Sequence, residues 1–204
     1  MASLTIRYPL SAIPFTSSMP LRLSFNLGDA DLRHFEEVAQ QTQALARTQP
    51  ADAIVSSARE VLERGAQAQG ADFVKERYSR LQAMLAMIED AEWRLESDDR
   101  QRTLNALACF SVSNQTGSPA SVLDHAIMIE LVSRDLHHDL AAHRDFTRFR
   151  ESHDRKQRKL DPDARTKALE LRREVLMQRM HERRKRDLER AGSSVRRLFG
   201  LFGL

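Results

Sequence analysis

Apolar residues recur every three or four positions along most of the chain. In ADFVKERYSRLQAMLAMIEDAEW, Val74, Tyr78, Leu81, Leu85 and Ile88 step by four, three, four and three, which is the spacing of one helix face. ADAIVSSAREVLERG places Ile54, Ala58, Val61 and Leu62 on one side, with Gly65 near its end. Upstream, Leu32, Phe35, Ala39, Thr42 and Leu45 follow Asp29, a plausible N-cap, and Pro50 closes that region. ESDDRQRTLNALACF predicts another helix, with Ser97 as N-cap and Asp98 and Asp99 near the positive end of its dipole. SVSNQTGSP reads as a loop. Residues 122–151 are predicted to form one long helix, with Ile129, Val132, Leu136, Leu140, His143 and Phe146 along a single face. A break at LDPDA follows, where Asp161 can cap and Pro162 suits a first turn. ARTKALELRREVLMQRMHERRKRDLER is the last helix, and Gly192 suits its C-terminal stop.

One segment breaks the helical period. PLRLSFNL alternates Leu21, Leu23, Phe25 and Leu27 with polar or small residues, a strand pattern that needs a pairing partner or packs as an extended arm. The expected fold is therefore all-α: a bundle of about five helices, a short N-terminal strand or arm, and a long basic C-terminal helix. Regular patterning begins just after Met19, which makes residues 1–18 an extension outside the fold and Met19 a candidate translation start. The expected organisation is a helical domain over 19–153, a basic helix over 154–192 and an apolar amphipathic tail over 193–204.

Composition supports helices. Seven Gly and six Pro in 204 residues are few for a chain built from many short strands and turns. The single cysteine, Cys109, cannot form an internal disulfide, and its apolar setting in LNALACFSV suits a buried thiol. No run approaches the roughly 20 apolar residues of a membrane span, and the N-terminal stretch lacks the layout of a signal peptide, so the expected location is cytoplasmic.

Charge changes the picture. Residues 1–146 hold 14 Lys and Arg against 20 Asp and Glu, whereas residues 147–204 hold 18 against 9. The net charge of +3 is the sum of an acidic body and a basic C-terminal quarter. Such a tail calls for an anionic partner: a membrane surface, an acidic protein or nucleic acid.

Candidate chemistry concentrates in the long helix, which carries four histidines among its carboxylates. Much of this is accounted for by surface pairing: Glu130 and Arg134 are in the favourable i,i+4 order, and Asp139 can reach His143. His143, on the apolar stripe, is expected to be a core histidine with one hydrogen-bond partner. The sharper reading is a metal site on Asp135, His138 and Asp139, with His125 and His34 as remote fourth ligands, because imidazole with carboxylate suits zinc or a redox metal. The paired histidines of a zinc protease helix, a nucleophile elbow, a P-loop and a dinucleotide fingerprint are all missing. The sequence offers no catalytic constellation and implies no cofactor.

RQRTLNALACFSVSN followed by LDHAIMIELVSRDLHHDLAAHRDFTRFRE resembles the YkvA-like bacterial proteins, a family of unknown function. In that family an Ala-rich helix ends in an aromatic residue, and an acidic, Pro-containing loop leads into a helix with an ELV-x-R-E-L pattern and an F-x-x-[FY]-R ending. Leu123, Asp124 and Ala126 match the end of the loop. Glu130, Leu131, Val132, Arg134, His138, Phe146 and Arg150 match the helix. The resemblance spans residues 101–151 and marks a divergent member, since SVSNQTGSPAS is a shortened loop without its LIPD-like segment. It implies a helical fold and a bacterial source, and it supplies no activity; some relatives are membrane-associated.

In the last helix Ala168, Leu169, Leu171, Val175, Leu176 and Met180 form a modest apolar stripe. HERRKRDLER beyond it is expected to project into water and to present Arg183, Arg184, Lys185 and Arg186 to an anion. In the tail, Val195, Leu198, Phe199 and Phe202 fall on one helical face beside Arg196 and Arg197, suited to a bilayer interface or a protein groove. The expected function is that of a non-enzymatic interaction protein whose C-terminus contacts an anionic membrane surface, such as the inner membrane, or a protein partner, a second copy included. Nucleic-acid binding through the basic helix is the alternative, and metal-dependent activity on the Asp135/His138/Asp139 face is the third reading.

Overall fold

The computed structural model describes residues 41, 42, 44, 47–67, 72–115, 122–156 and 161–190. Among them are six long helices and no strand: α1 (Ala51–Gln67), α2 (Asp72–Glu89), α3 (Ser97–Gln115), α4 (Val122–Asp135), α5 (His137–Lys156) and α6 (Pro162–Arg190). The predicted strand at 20–27, the extension 1–18 and the tail 193–204 lie outside the described residues.

The apolar stripes fold as their spacing requires. Ile54, Ala58 and Val61 of α1 and Tyr78, Leu81, Leu85 and Ile88 of α2 are buried against Leu107 and Phe110 of α3 and Ile129 and Val132 of α4. This first core joins α1 to α4. α3 is its central helix, with every residue from 102 to 111 buried. Cys109 lies there at 1% exposure, and burial pushes its thiol up to about 12. A second core gathers around Trp93, which contacts Phe146 at 5.2 Å between ring centroids and packs with Met87, Leu169, Leu176, Met177 and Met180. Burying the Trp ring removes roughly 150–250 Å² from water, a large single contribution for a small core. α5 and α6 run antiparallel, since His138 meets Asp187 near one end and Asp154 meets Arg165 near the other.

The connection at residues 90–96 ties the two cores together. Asp90 Oδ1 accepts the amides of Glu92 and Trp93 at 3.0 and 3.1 Å and closes the turn after α2. Arg94 is left-handed (φ 44°), and Arg173 of α6 donates to the carbonyls of Trp93 and Arg94 at 2.6 and 2.9 Å. Arg150 of α5 reaches both Asp90 and Glu92, and Arg165 of α6 donates to Glu92 at 2.6 Å.

Several expectations are corrected. The long helix over 122–151 is two helices with a turn at Leu136. The Asp135 carbonyl, which an unbroken helix offers to the amide of residue 139, accepts a hydrogen bond from Arg102 Nη2 at 2.9 Å. Ser97 is the first helical residue of α3, not its cap, because the carbonyl of Glu96 accepts the first helical bond from Arg100. Gly65 lies near the end of α1 as expected, two residues before Gln67; a Cβ there would overlap Cδ1, Cε1 and Cζ of Tyr78. In α6, Leu171 and Val175 face solvent at 65% and 41% exposure, and Met177 fills the core instead. The Asp161 cap stands: its carbonyl accepts the amide of Arg165 at 3.1 Å as α6 begins at Pro162.

Candidate functional site

The second half of α6 does not project into water. Met180 is buried, and Arg184 turns inward with its side chain 15% exposed. It pairs with Asp99 in the first turn of α3 and lies 3.6 Å from Asp139 of α5. His181 Nε2 bonds the other Asp99 oxygen at 2.8 Å. Burial works against the charge on Asp99, but the hydrogen bonds from His181 and Arg184 outweigh it and hold the carboxyl below its ordinary value. Asp99 is thus the anchor for α6, a role that first-turn dipole placement does not reveal.

Beneath it sits Arg102, 3% exposed, one of the few charged residues of the core. Its Nη2 lies 3.2 Å from Asp139 Oδ2 and 3.8 Å from Asp135 Oδ2. Both aspartates have raised pKa values, because burial opposes their charge more than Arg102 relieves it. Arg102 Nε and Nη1, Asp135 Oδ2 and Asp139 Oδ1 find no hydrogen-bond partner among the described residues. A cavity of about 30 Å³ opens beside Arg102 and Asp135, lined also by His137, His138, Arg184, Asp187 and Leu188. That is room for one water or one ion.

The predicted trio Asp135, His138 and Asp139 does not converge. Asp135 and Asp139 turn to Arg102, and His138 Nε2 instead bonds Asp187 Oδ2 at 2.7 Å. Among the described residues, potential ligand atoms gather within 4.8 Å in two groups: His137, His138 and Asp187, and Glu96, Asp99 and His181. His125 is buried near Phe110, and His34 lies outside the described residues.

The other matched or predicted residues are structural. Glu130 bonds Arg134 at 3.0 Å, as expected, and also Arg80 of α2 at 2.8 Å. His143 is the expected core histidine with a single partner: its Nε2 lies 3.1 Å from Asp90 Oδ2, not beside Asp139. Burial lowers its pKa against the pull of Asp90. Phe146 is fully buried, and the Arg150 guanidinium lies over its ring at 5.6 Å. Asp124 belongs to the first turn of α4, with its side chain outside the described set.

Of the four predicted contact residues in α6, Arg183, Lys185 and Arg186 are exposed and Arg184 is not. A longer row was missed. Arg179, Arg183, Arg186 and Arg190, at steps of four, three and four, are all exposed, and none forms an ion pair with a described residue. Arg172, earlier on the same row, lies over Phe149 of α5 at 5.4 Å, so the row runs along the seam between α5 and α6. Arg144, Arg148 and Arg155 form a second exposed row on α5, opposite its buried Ala142 and Phe146. The exposed faces of α5 and α6 therefore each carry a row of arginines. The four-three-four spacing of these arginines is the signal that the sequence carries for the row on α6, and it cuts across the contiguous run at 183–186.

Comparison of the chain with models of protein families, with curated proteins and with solved structures returns no match. No described helix is long and apolar enough to cross a membrane.

Proposed function

We propose that this protein is a helical interaction module that binds an anionic membrane surface through the outer face of its α5–α6 hairpin. The observation that carries the reading is the row Arg179, Arg183, Arg186 and Arg190, exposed and closing no ion pair with a described carboxylate. Glu182, Asp187 and Glu189 lie one turn from these arginines in sequence, yet none closes an ion pair with them, which leaves the guanidinium groups turned to solvent. Each cation near an anionic bilayer contributes about 1 kcal/mol, so four contribute roughly 4 kcal/mol, about a thousandfold in affinity. Val175, 41% exposed, lies one turn before Arg179 and adds an apolar contact at the same edge. In sequence the row leads on to Arg196, Arg197, Leu198, Phe199 and Phe202. A basic cluster followed by an apolar amphipathic segment supplies two weak signals that together anchor a protein peripherally. The hairpin is held rigid for this task by Arg184 on Asp99 and by Arg165 and Arg173 on residues 92–94.

The test is co-sedimentation of the full chain, and of a chain ending at Gly192, with anionic and neutral vesicles at low and high salt. The reading expects the full chain to pellet with anionic vesicles, less so at high salt, and the shortened chain to pellet weakly. Absence of pelleting with anionic vesicles would refute it. Tight binding to duplex DNA or RNA in their place, with a steep salt dependence, would assign the arginine surface to phosphate backbones instead.

A further inference from the structure

We propose that the start of α5 and the last turns of α6 form a site for one divalent transition-metal ion, with His137 Nε2, His138 Nε2 and Asp187 Oδ2 as its ligands. This stands apart from the membrane reading and uses different residues.

The tautomer of His137 is fixed by its surroundings. Its Nδ1 lies 2.7 Å from the carbonyl of Arg134, which can only accept, so Nδ1 carries the proton. In the neutral imidazole Nε2 then presents a lone pair, and it faces Asp187 Oδ2 at 3.7 Å. A backbone-anchored Nδ1–H with a free Nε2 is the arrangement that orients metal-binding imidazoles. The same carboxylate oxygen is 2.7 Å from His138 Nε2, and the two imidazole rings lie 3.7 Å apart between centroids. An ion bound here replaces the proton that His138 shares with Asp187, and that imidazole proton moves to Nδ1. The His138–Asp187 distance then opens by a few tenths of an ångström, within reach of the half-exposed Asp187 side chain.

A second observation points to the same place. The cavity of about 30 Å³ behind these ligands is walled by Arg102 and Asp135, each more than nine-tenths buried and each with a polar atom lacking a partner. One ligand-bound water there can accept from Arg102 and donate to Asp135 Oδ2. The charge balance also asks for a cation. Asp99, Asp135, Asp139 and Asp187 face Arg102, Arg184 and, at Asp187, Arg190, which leaves one negative charge in excess when the histidines are neutral. Two imidazole nitrogens and one carboxylate oxygen select zinc or a late first-row ion over magnesium or calcium. The other cluster, Glu96, Asp99 and His181, is a poorer host, because both oxygens of Asp99 are already bonded to Arg184 and His181.

The test is equilibrium dialysis of the full chain against zinc at pH 7.5, followed by elemental analysis, with Co(II) absorption as a second probe of ligand type. The proposal expects one zinc per chain and an absorption band typical of nitrogen and oxygen ligands. His137→Gln removes a half-exposed ligand whose one hydrogen bond is to a backbone carbonyl, so its helicity and melting temperature without metal should match the parent. It should weaken zinc binding at least about tenfold, as should Asp187→Asn, while His181→Gln leaves binding unchanged. No retained zinc, or zinc binding that His137→Gln leaves intact, overturns the site. So does loss of binding in His181→Gln alone, which would place the ion at Asp99.

Discussion

Replacing Arg102 with Met tests the charged junction that fastens α6 to the body. The substitution keeps most of the side-chain volume and removes the guanidinium that faces Asp139 Oδ2 at 3.2 Å and Asp135 Oδ2 at 3.8 Å. It also strips the donor from the Asp135 carbonyl, the bond that marks the turn at Leu136. Removing one partner of a buried ion pair costs about 3–5 kcal/mol, because the remaining charge stays buried without compensation. For a chain of this size each kcal/mol lowers the melting temperature by roughly 2–4 °C, so the expected drop is roughly 6–20 °C at pH 7. The sign of the pH dependence follows from the two aspartates. Their folded pKa values are already raised by burial, and loss of Arg102 raises them further. A folded state with raised carboxyl pKa values gains stability as pH falls through them, so the deficit should shrink between pH 7 and pH 5. Asp90 and Asp99 have the opposite sign: burial alone would raise them, but their hydrogen bonds lower them, so their stabilising effect is lost only below the ordinary carboxylate range. Urea melts of the parent, Arg102→Met and Arg102→Met with Asp139→Asn, at both pH values, provide the assay. The double variant should recover about 1–3 kcal/mol at pH 7. A loss below about 1 kcal/mol, or a deficit that is the same at both pH values, would refute the argument that Arg102 neutralises a buried pair.

Two further outcomes follow from packing. Gly65→Ala should destabilise by about 1–3 kcal/mol in thermal melts, although alanine is the better helix former, because the new methyl would collide with the Tyr78 ring; a rise in melting temperature would show that Tyr78 moves aside freely. Cys109, buried with its thiol at about 12, should resist a thiol-specific disulfide reagent in the folded protein at pH 8 and react fully in denaturant; rapid modification of the native chain would contradict its burial.

The helices were legible because their signal is local. The stripes Val74 to Ile88 and Ile129 to Phe146 report burial by period alone, and His143 reads correctly as a core residue because it lies on such a stripe. The features that were not legible all depend on a second element. The turn at Leu136 coincides with a donor from α3, thirty-three residues away along the chain. Gly65 reads as a residue near a helix end, but the reason a side chain does not fit there appears only when the Tyr78 ring is placed against it. Asp99 looks like a dipole residue until α6 folds back with Arg184 and His181. The same folding back turns the HERRKRDLER segment from a solvated arm into a packed helix with two faces. Arg184 and Asp187 point in and Arg183 and Arg186 point out, a division that composition averages away. The metal reading shows the limit most plainly. The companions of His138 in space are His137, its neighbour in sequence, and Asp187, forty-nine residues away, and not the two aspartates that share its helix face.

The most direct measurement of the central claim is vesicle co-sedimentation of the full chain against a variant with Arg179, Arg183, Arg186 and Arg190 all changed to Gln. These side chains are exposed and close no ion pair with a described residue, so the variant should keep its helicity and melting temperature within small surface effects. The account predicts that the parent pellets with anionic vesicles at low salt and that the variant's binding falls by about a hundredfold or more. Equal binding of a folded variant and the parent would contradict it, and would move the contact away from the arginine face of the hairpin.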